Sequence, residues 1–377
     1  MKKIYLASPK MSKEGYEEEY VKNAFDTNWL STVGENLTEF EEDMKRYLNV
    51  KCTLALASGT SAIHLGLRSL DVGDKDIVFV SDLTFVASVN PIVYQNAIPV
   101  FIDSEPGTWN MSPKALRKAF EKYPNPKAVV VTHLYGRGAN MDEIMKICKE
   151  EHNVFVLEDA AEALGTIYHG KYLGTIGDMG ALSFNGNKII TTTSGGMLVS
   201  NNEERLSKAR FWSTQSKDPA RYYLHSQLGY NYRMSNVLAG IGRGQLKVLE
   251  ERITEKKAIF DMYKEAFKDI KDIEMMPEDK DERSNYWLST ITLKEESKVK
   301  PIDIIEALER ENVESRPVWR PMHMQPLYER NEFFSHNDSG VSVGEDIYIR
   351  GVCLPSDVNM TKEEQEKIIE IIRKLFM

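Results

Sequence analysis

Three short segments hold side chains able to do chemistry. The first is Ser183–Lys188, SFNGNK, where a lysine follows an apolar run inside a Gly/Asn turn. A turn lysine is ordinarily a solvated cation. The chemical alternative is a Schiff-base lysine, whose amine must be held near a carbonyl and be partly neutral to attack; desolvation or a neighbouring cation achieves that. The second is Leu157–Gly165, LEDAAEALG, with Glu158 and Asp159 at the end of a strand-like run. Ligands of open α/β sheets bind beyond the carboxyl ends of strands. A carboxylate there either caps the next helix or faces a cationic ligand atom such as a pyridinium nitrogen. Strand alternation turns Glu158 and Asp159 to opposite faces, so only one can do so. The third is Ala57–His64, ASGTSAIH. Ser58, Gly59, Thr60 and Ser61 offer hydroxyls and N–H groups at a helix start, which is either a plain N-cap or an anion site.

Other signals are weaker. Gly240–Gly244, GIGRG, resembles a nucleotide loop, but it lies within a helical pattern and follows no strand, so these glycines are read as close-packing positions. His133 ends AVVVTH and His323 sits in RPMHMQPLY; a lone histidine is most often structural. No G-x-S-x-G hydrolase signature and no G-x-x-x-x-G-K-[ST] loop occurs. Cys52, Cys148 and Cys353 are widely spaced and predict neither a disulfide framework nor a metal site.

The elements that must position these residues follow from periodicity. IVFV (77–80), PVFI (99–102), AVVV (128–131) and VFVL (154–157) are short, nearly continuous apolar runs, as expected of strands buried on both faces. GALSF (180–184) and MLVS (197–200) read as two more. Helical patterns separate the runs: Ser112-Pro113 opens SPKALRKAFEK, and Asn140 or Met141 opens MDEIMKICKEE. This βαβα alternation predicts a mostly parallel sheet covered by helices. Residues 229–257 read as one long helical stretch. WLSTITL alternates like a strand with one exposed face, and TKEE (361–364) opens a last amphipathic helix with a capping box. The expected organisation is a large unit, 1–255, and a small C-terminal α/β unit, 256–377, with N-terminal residues packed on the small one. The chain has 377 residues, 42% hydrophobic and 28% charged, with net charge −9 and no basic block. That composition is globular and argues against nucleic acid as a partner. No apolar run of membrane-spanning length and no signal-peptide pattern is seen, so a cytoplasmic protein is expected.

Taken together and in this order, the phosphate-cradle, carboxylate and lysine motifs make the chain resemble the sugar aminotransferases of the DegT/DnrJ/EryC1/StrS type. The resemblance runs from NWLSTVG through SGTSAIHL, TFVASVNPI, FIDSEPGTWNMSP, THLYG, EDAAEALG, SFNGNK, GYNYRMSN and RPMHMQPLY to GVCLPS. It implies an α/β fold of the pyridoxal-phosphate-dependent fold type I, like aspartate aminotransferase, with a mostly parallel seven-stranded sheet. It implies pyridoxal 5'-phosphate as cofactor. Lys188 would hold its aldehyde as a Schiff base and later carry the proton between the cofactor carbon and the sugar. Asp159 would pair with the pyridine nitrogen, and Glu162 would stand near the phenolic oxygen. Phe85 and Ala161 would flank the ring. Ser58, Gly59, Thr60, Ser61 and Ser183 would form the phosphate cradle, and Asn231 would reach the phosphate of a neighbouring subunit, which implies a homodimer. Trp29, Leu30, Arg233 and His323 are candidates for substrate contact.

SFNGNKIIT, ARFWSTQS and GYNYRMSN are most similar to the subgroup acting on UDP-4-keto-6-deoxy-N-acetylglucosamine, which serves bacillosamine-type glycan synthesis. L-Glutamate would be the amino donor. Another TDP-, GDP- or altrose-configured UDP keto sugar is the nearest alternative substrate, and a non-catalytic regulator the alternative of another class. After Lys188 the subgroup usually reads IITTSGGG and this chain IITTTSGG, placing Ser194 where glycine is common. Dehydrating relatives replace the lysine by histidine, so Lys188 favours transamination.

Overall fold

The computed structural model describes residues 2–377. Seven strands form its central sheet: β1 (Cys52–Leu56), β2 (Ile77–Ser81), β3 (Ile98–Ile102), β4 (Ala128–Thr132), β5 (Phe155–Asp159), β6 (Met179–Ser183) and β7 (Gly196–Ser200). Their order is β1-β7-β6-β5-β4-β2-β3. All run parallel except β7, which pairs antiparallel with both β1 and β6. A two-residue strand, Phe333–Phe334, adds an eighth beyond β3 in parallel. That addition comes from far along the chain and is too short to show a pattern; the resemblance implies the other seven strands. β1, CTLAL, was also not anticipated; it is a five-residue run whose cysteine and threonine interrupt the apolar signal.

Helices cover both faces, and strand alternation divides the core in two. Phe79, Val129, Val131, Val156, Leu182 and Val199 point into one hydrophobic cluster. Val78, Val80, Val130, Leu157, Ala181 and Leu198 point into the other. This is the period-2 geometry that makes such strands apolar throughout.

The second unit is built on an antiparallel sheet with strand order Ile273–Met275, Ser289–Leu293, Gly351–Leu354, Arg316–Pro317. Its middle strand is STITL, every residue of which is buried, correcting the expectation of an exposed face. The serine and threonines alternate with isoleucine and leucine, but the helices Leu249–Phe267 and Val343–Arg350 both pack against the strand. Ile4 pairs with Val313 and joins this unit's core, as expected of the N-terminal residues.

The stretch from 229 to 257 is not one helix. Residues 229–235 are non-helical; Tyr230 N–H and Tyr232 N–H donate to the carbonyls of Trp212 and Ser213. Helices then run over Asn236–Leu246 and Leu249–Phe267. In the first, a Cβ on Gly242 would lie 2.6 Å from the Phe40 ring, and one on Gly244 2.6 Å from the Glu17 backbone. The GIGRG glycines are therefore packing positions. The second helix serves both units: Ile253 packs in the large core, and Ile259, Tyr263 and Phe267 in the small one. The expected division at 255/256 falls inside this helix. Lys256 lies at that point, buried, and its Nζ donates to the carbonyls of Trp287, at 3.0 Å, and Ser356. Burial pushes its pKa down to about 8, against the opposing pull of Asp357.

Candidate active site

A cavity of about 330 Å³ opens at the carboxyl ends of the central strands. Asp159 is the last residue of β5 and borders it. Ser88 Oγ donates to Asp159 Oδ2 at 2.5 Å, and Ala161 N–H donates to Oδ1 at 3.1 Å. Glu158 points the other way, as alternation requires. It is wholly buried, 2.9 Å from His133 Nε2, and accepts N–H bonds from Gly174, Ile176 and Gly177. Those bonds explain both residues structurally, so Asp159 is the carboxylate available to a ligand.

Lys188 enters the same cavity from the turn after β6. Its Nζ lies 3.2 Å from Glu162 Oε1 and 4.0 Å from the centre of the Trp287 ring. The Trp287 indole N–H donates to Asn187 O at 2.7 Å and so fixes the turn next to the lysine. Glu162 Oε2 accepts from Tyr135 N–H at 2.8 Å. Burial pushes the Glu162 carboxyl up to about 7; the positive charge of Lys188 and the Tyr135 N–H work against that rise.

The third wall is the start of helix Gly59–Ser69. Ser58 caps it by accepting from Ser61 N–H at 3.1 Å, and Ser61 Oγ accepts from Ser58 N–H at 3.0 Å. Ser61 Oγ also donates to Ser58 O at 2.9 Å, so both polar groups of Ser61 are committed to the cap. Ser61 shapes the cradle from within the cap. Ser58, Gly59, Thr60 and Ser183 do border it. Gly59 and Thr60 carry first-turn N–H groups, the donors a helix leaves for an outside acceptor. Gly196, at the start of β7, lets this helix start approach: a Cβ there would lie 2.3 Å from the Ser58 carbonyl carbon.

Phe85, 57% exposed, and Ala161 also border the cavity, and the Phe85 ring lies 5.6 Å from that of Trp319. An anion cradle, an apolar slot, a carboxylate and a lysine thus converge. Their donor and acceptor chemistry fits pyridoxal phosphate: first-turn N–H groups suit a phosphate, Asp159 a protonated ring nitrogen, and the Lys188 amine an aldehyde.

Five expected contacts lie outside the cavity: two are paired with carboxylates and three are exposed. The Arg233 guanidinium lies 2.6 Å from Glu41 Oε1 and 2.9 Å from Ala55 O, locking 229–235 to β1. His323 is likewise engaged by carboxylates. Its Nδ1 lies 2.6 Å from Asp82 Oδ2, its Nε2 3.3 Å from Glu345, and its ring stacks on Phe333. Trp29 and Leu30 are exposed outside the cavity. Asn231 is exposed and bridges Thr214. Sequence reasoning missed Trp287, Trp319, Thr84 and Thr132, which line the cavity, and Ser88 behind it. Their available signal was proximity to recognised motifs: Thr84 and Ser88 flank Phe85 in TFVAS, and Thr132 precedes His133.

The model of the DegT/DnrJ/EryC1/StrS aminotransferase family matches residues 12–373. A protein of Bacillus subtilis (strain 168) named "Putative pyridoxal phosphate-dependent aminotransferase EpsN" is 50% identical, over 100% of this chain and 96% of its own. GDP-perosamine synthase of Caulobacter vibrioides is 34% identical, over 100% of this chain and 99% of its own. Among solved structures, a DegT DnrJ EryC1 StrS aminotransferase from Brucella abortus superposes with a TM-score of 0.88 at 26% identity, covering 96% of each chain.

Proposed function

The chain belongs to the DegT/DnrJ/EryC1/StrS aminotransferase family, pyridoxal-phosphate-dependent sugar aminotransferases, and from that premise we propose that it transfers the amino group of L-glutamate to C4 of a UDP-linked 4-keto-6-deoxy-N-acetylhexosamine. The product would be UDP-4-amino-4,6-dideoxy-N-acetylglucosamine, made in the cytoplasm for bacillosamine-type glycan synthesis. Among the described residues no helix is long and apolar enough to cross a membrane.

The observation that carries the reaction is the convergence of Lys188, Glu162 and Asp159 on one cavity. Pyridoxal phosphate supplies a ring that stabilises negative charge on the carbon next to the transferred nitrogen. Asp159 would sit against the ring nitrogen. Ser58, Gly59, Thr60 and Ser183 would hold the phosphate, and Phe85 and Ala161 would lie on the two ring faces. Lys188 Nζ would take the proton from the donor Cα and later deliver one to sugar C4. Glu162, within hydrogen-bond reach of Nζ, would hold the amine in place between those steps. Both substrates would use the site in turn, giving ping-pong kinetics. Trp29, Leu30 and Asn231 are exposed, and we assign them to the site of a second copy in a homodimer.

A second reading takes a GDP-linked keto sugar. It is favoured by the 34% identity to GDP-perosamine synthase. The discriminating experiment offers L-glutamate with the UDP-linked and, separately, the GDP-linked 4-keto sugar and follows products by mass spectrometry. A UDP-4-amino sugar formed together with 2-oxoglutarate is the expected result. Amination of the GDP sugar alone would transfer the assignment to the second reading, and amination of neither would remove C4 transamination of both.

A further inference from the structure

Behind Asp159, three hydroxyls from two parts of the chain cluster together. Thr132 Oγ1, at the end of β4, is 2.9 Å from Thr84 Oγ1, just beyond β2, and 3.4 Å from Ser88 Oγ. Thr84 Oγ1 is 2.6 Å from Ser88 Oγ, and Ser88 Oγ is 2.5 Å from Asp159 Oδ2. All three are buried, with Ser88 at 0% exposure. Each hydroxyl has one hydrogen to donate, and a carboxylate can only accept. Ser88 must therefore spend its hydrogen on Asp159. It can then only accept from its threonine neighbours, Thr84 at 2.6 Å and Thr132 at 3.4 Å. Counting hydrogens fixes the direction at Ser88: its own hydrogen goes to Asp159, and the threonines donate toward it.

We propose that Thr132, Thr84 and Ser88 form a hydroxyl chain that donates into Asp159 through Ser88, making Ser88 a positioning residue for the carboxylate that meets the cofactor's ring nitrogen. Dipoles aligned head to tail in a dry site reinforce one another. Oδ1 is held separately by Ala161 N–H, so the two bonds together fix the plane of the carboxylate. The hydroxyl chain acts on one atom of the ligand only, the ring nitrogen. It has no role toward the phosphate or the aldehyde.

This rests on the reading of Asp159 given above, and the test separates the two. Apo-protein is titrated with pyridoxal phosphate and with its deaza analogue, in which a C–H group replaces the ring nitrogen; phosphate and aldehyde are unchanged. Binding is read from protein fluorescence, and folding from thermal unfolding of the apo-protein. Wild type should prefer pyridoxal phosphate. Asp159→Asn should abolish the preference. Ser88→Ala should lower it roughly tenfold, about the worth of one charge-assisted hydrogen bond, and Ser88→Thr should restore it. Should Ser88→Ala not fold, Thr132→Val removes the far end of the hydroxyl chain and should lower the preference in the same direction. A Ser88→Ala protein that keeps the wild-type preference, or weakens both ligands equally, overturns the hydroxyl chain while leaving Asp159 assigned. Retention of the preference by Asp159→Asn overturns the assignment of Asp159, and the chain with it.

Discussion

Glu162 is the residue at which protonation matters most in this cavity. A carboxyl raised to about 7 by burial loses its proton across neutral pH, and Lys188 Nζ lies 3.2 Å away. The visible spectrum of the cofactor-loaded protein should therefore respond to pH in a way that Glu162→Gln lacks. The same group affects stability. Its folded value lies above the ordinary 4.5, so between about 4.5 and about 7 the folded chain binds more protons than the unfolded one. Its contribution is present at low pH and is lost as pH rises through that window. Glu162→Gln, which is neutral throughout, should thus gain thermal stability relative to wild type on going from about pH 5 to about pH 8. A constant difference between the two melting curves would show that Glu162 does not titrate there.

At the scale of elements, the phosphate cradle depends on how closely a helix start can approach a strand. Gly196 provides that approach, because any Cβ would collide with the Ser58 backbone. Gly196→Ala should push the helix start outward and weaken pyridoxal phosphate binding by about tenfold or more, as expected for losing charge-assisted bonds to a phosphate. Apo-protein titration measures it; unchanged affinity would mean that the cradle tolerates the shift. Elements carried by a continuous apolar run were legible in the sequence, as β2 to β5 were, because both their faces are buried. The capping signals Ser112-Pro113 and Thr361–Glu364 were legible because they are local chemistry. β1 and the two aromatic walls were not. CTLAL has a mixed signal, and Trp287 and Trp319 reach the cavity only because the second unit docks against the first. The pairings of Arg233 and His323 were not legible for the same reason: their carboxylate partners, Glu41 and Asp82, are more than 190 residues away in sequence. Spacing along the chain has no access to such pairings.

At the scale of the whole molecule, one helix packs in the core of both units, and Lys256, a buried cation, lies on it. Lys256→Met would leave the carbonyls of Trp287 and Ser356 without their shared donor while removing a buried charge. The orphaned carbonyls should dominate, lowering unfolding stability by about 1–3 kcal/mol, measurable by urea denaturation; equal or greater stability would mean that relief of the buried charge wins. Beyond one chain, the proposed homodimer makes a sharper demand. Lys188 lies inside this chain's cavity, whereas Asn231 lies outside it, exposed. If Asn231 completes the partner's site, each site draws Lys188 from one chain and Asn231 from the other. Lys188→Ala and Asn231→Ala proteins should then each be inactive alone. When they are unfolded and refolded together, half the dimers are mixed, and one of the two sites in each mixed dimer has both native residues. About a quarter of wild-type activity should return, by the pairing arithmetic of a twofold assembly. Separate sites built from single chains would return none, because every site would still carry one of the two defects.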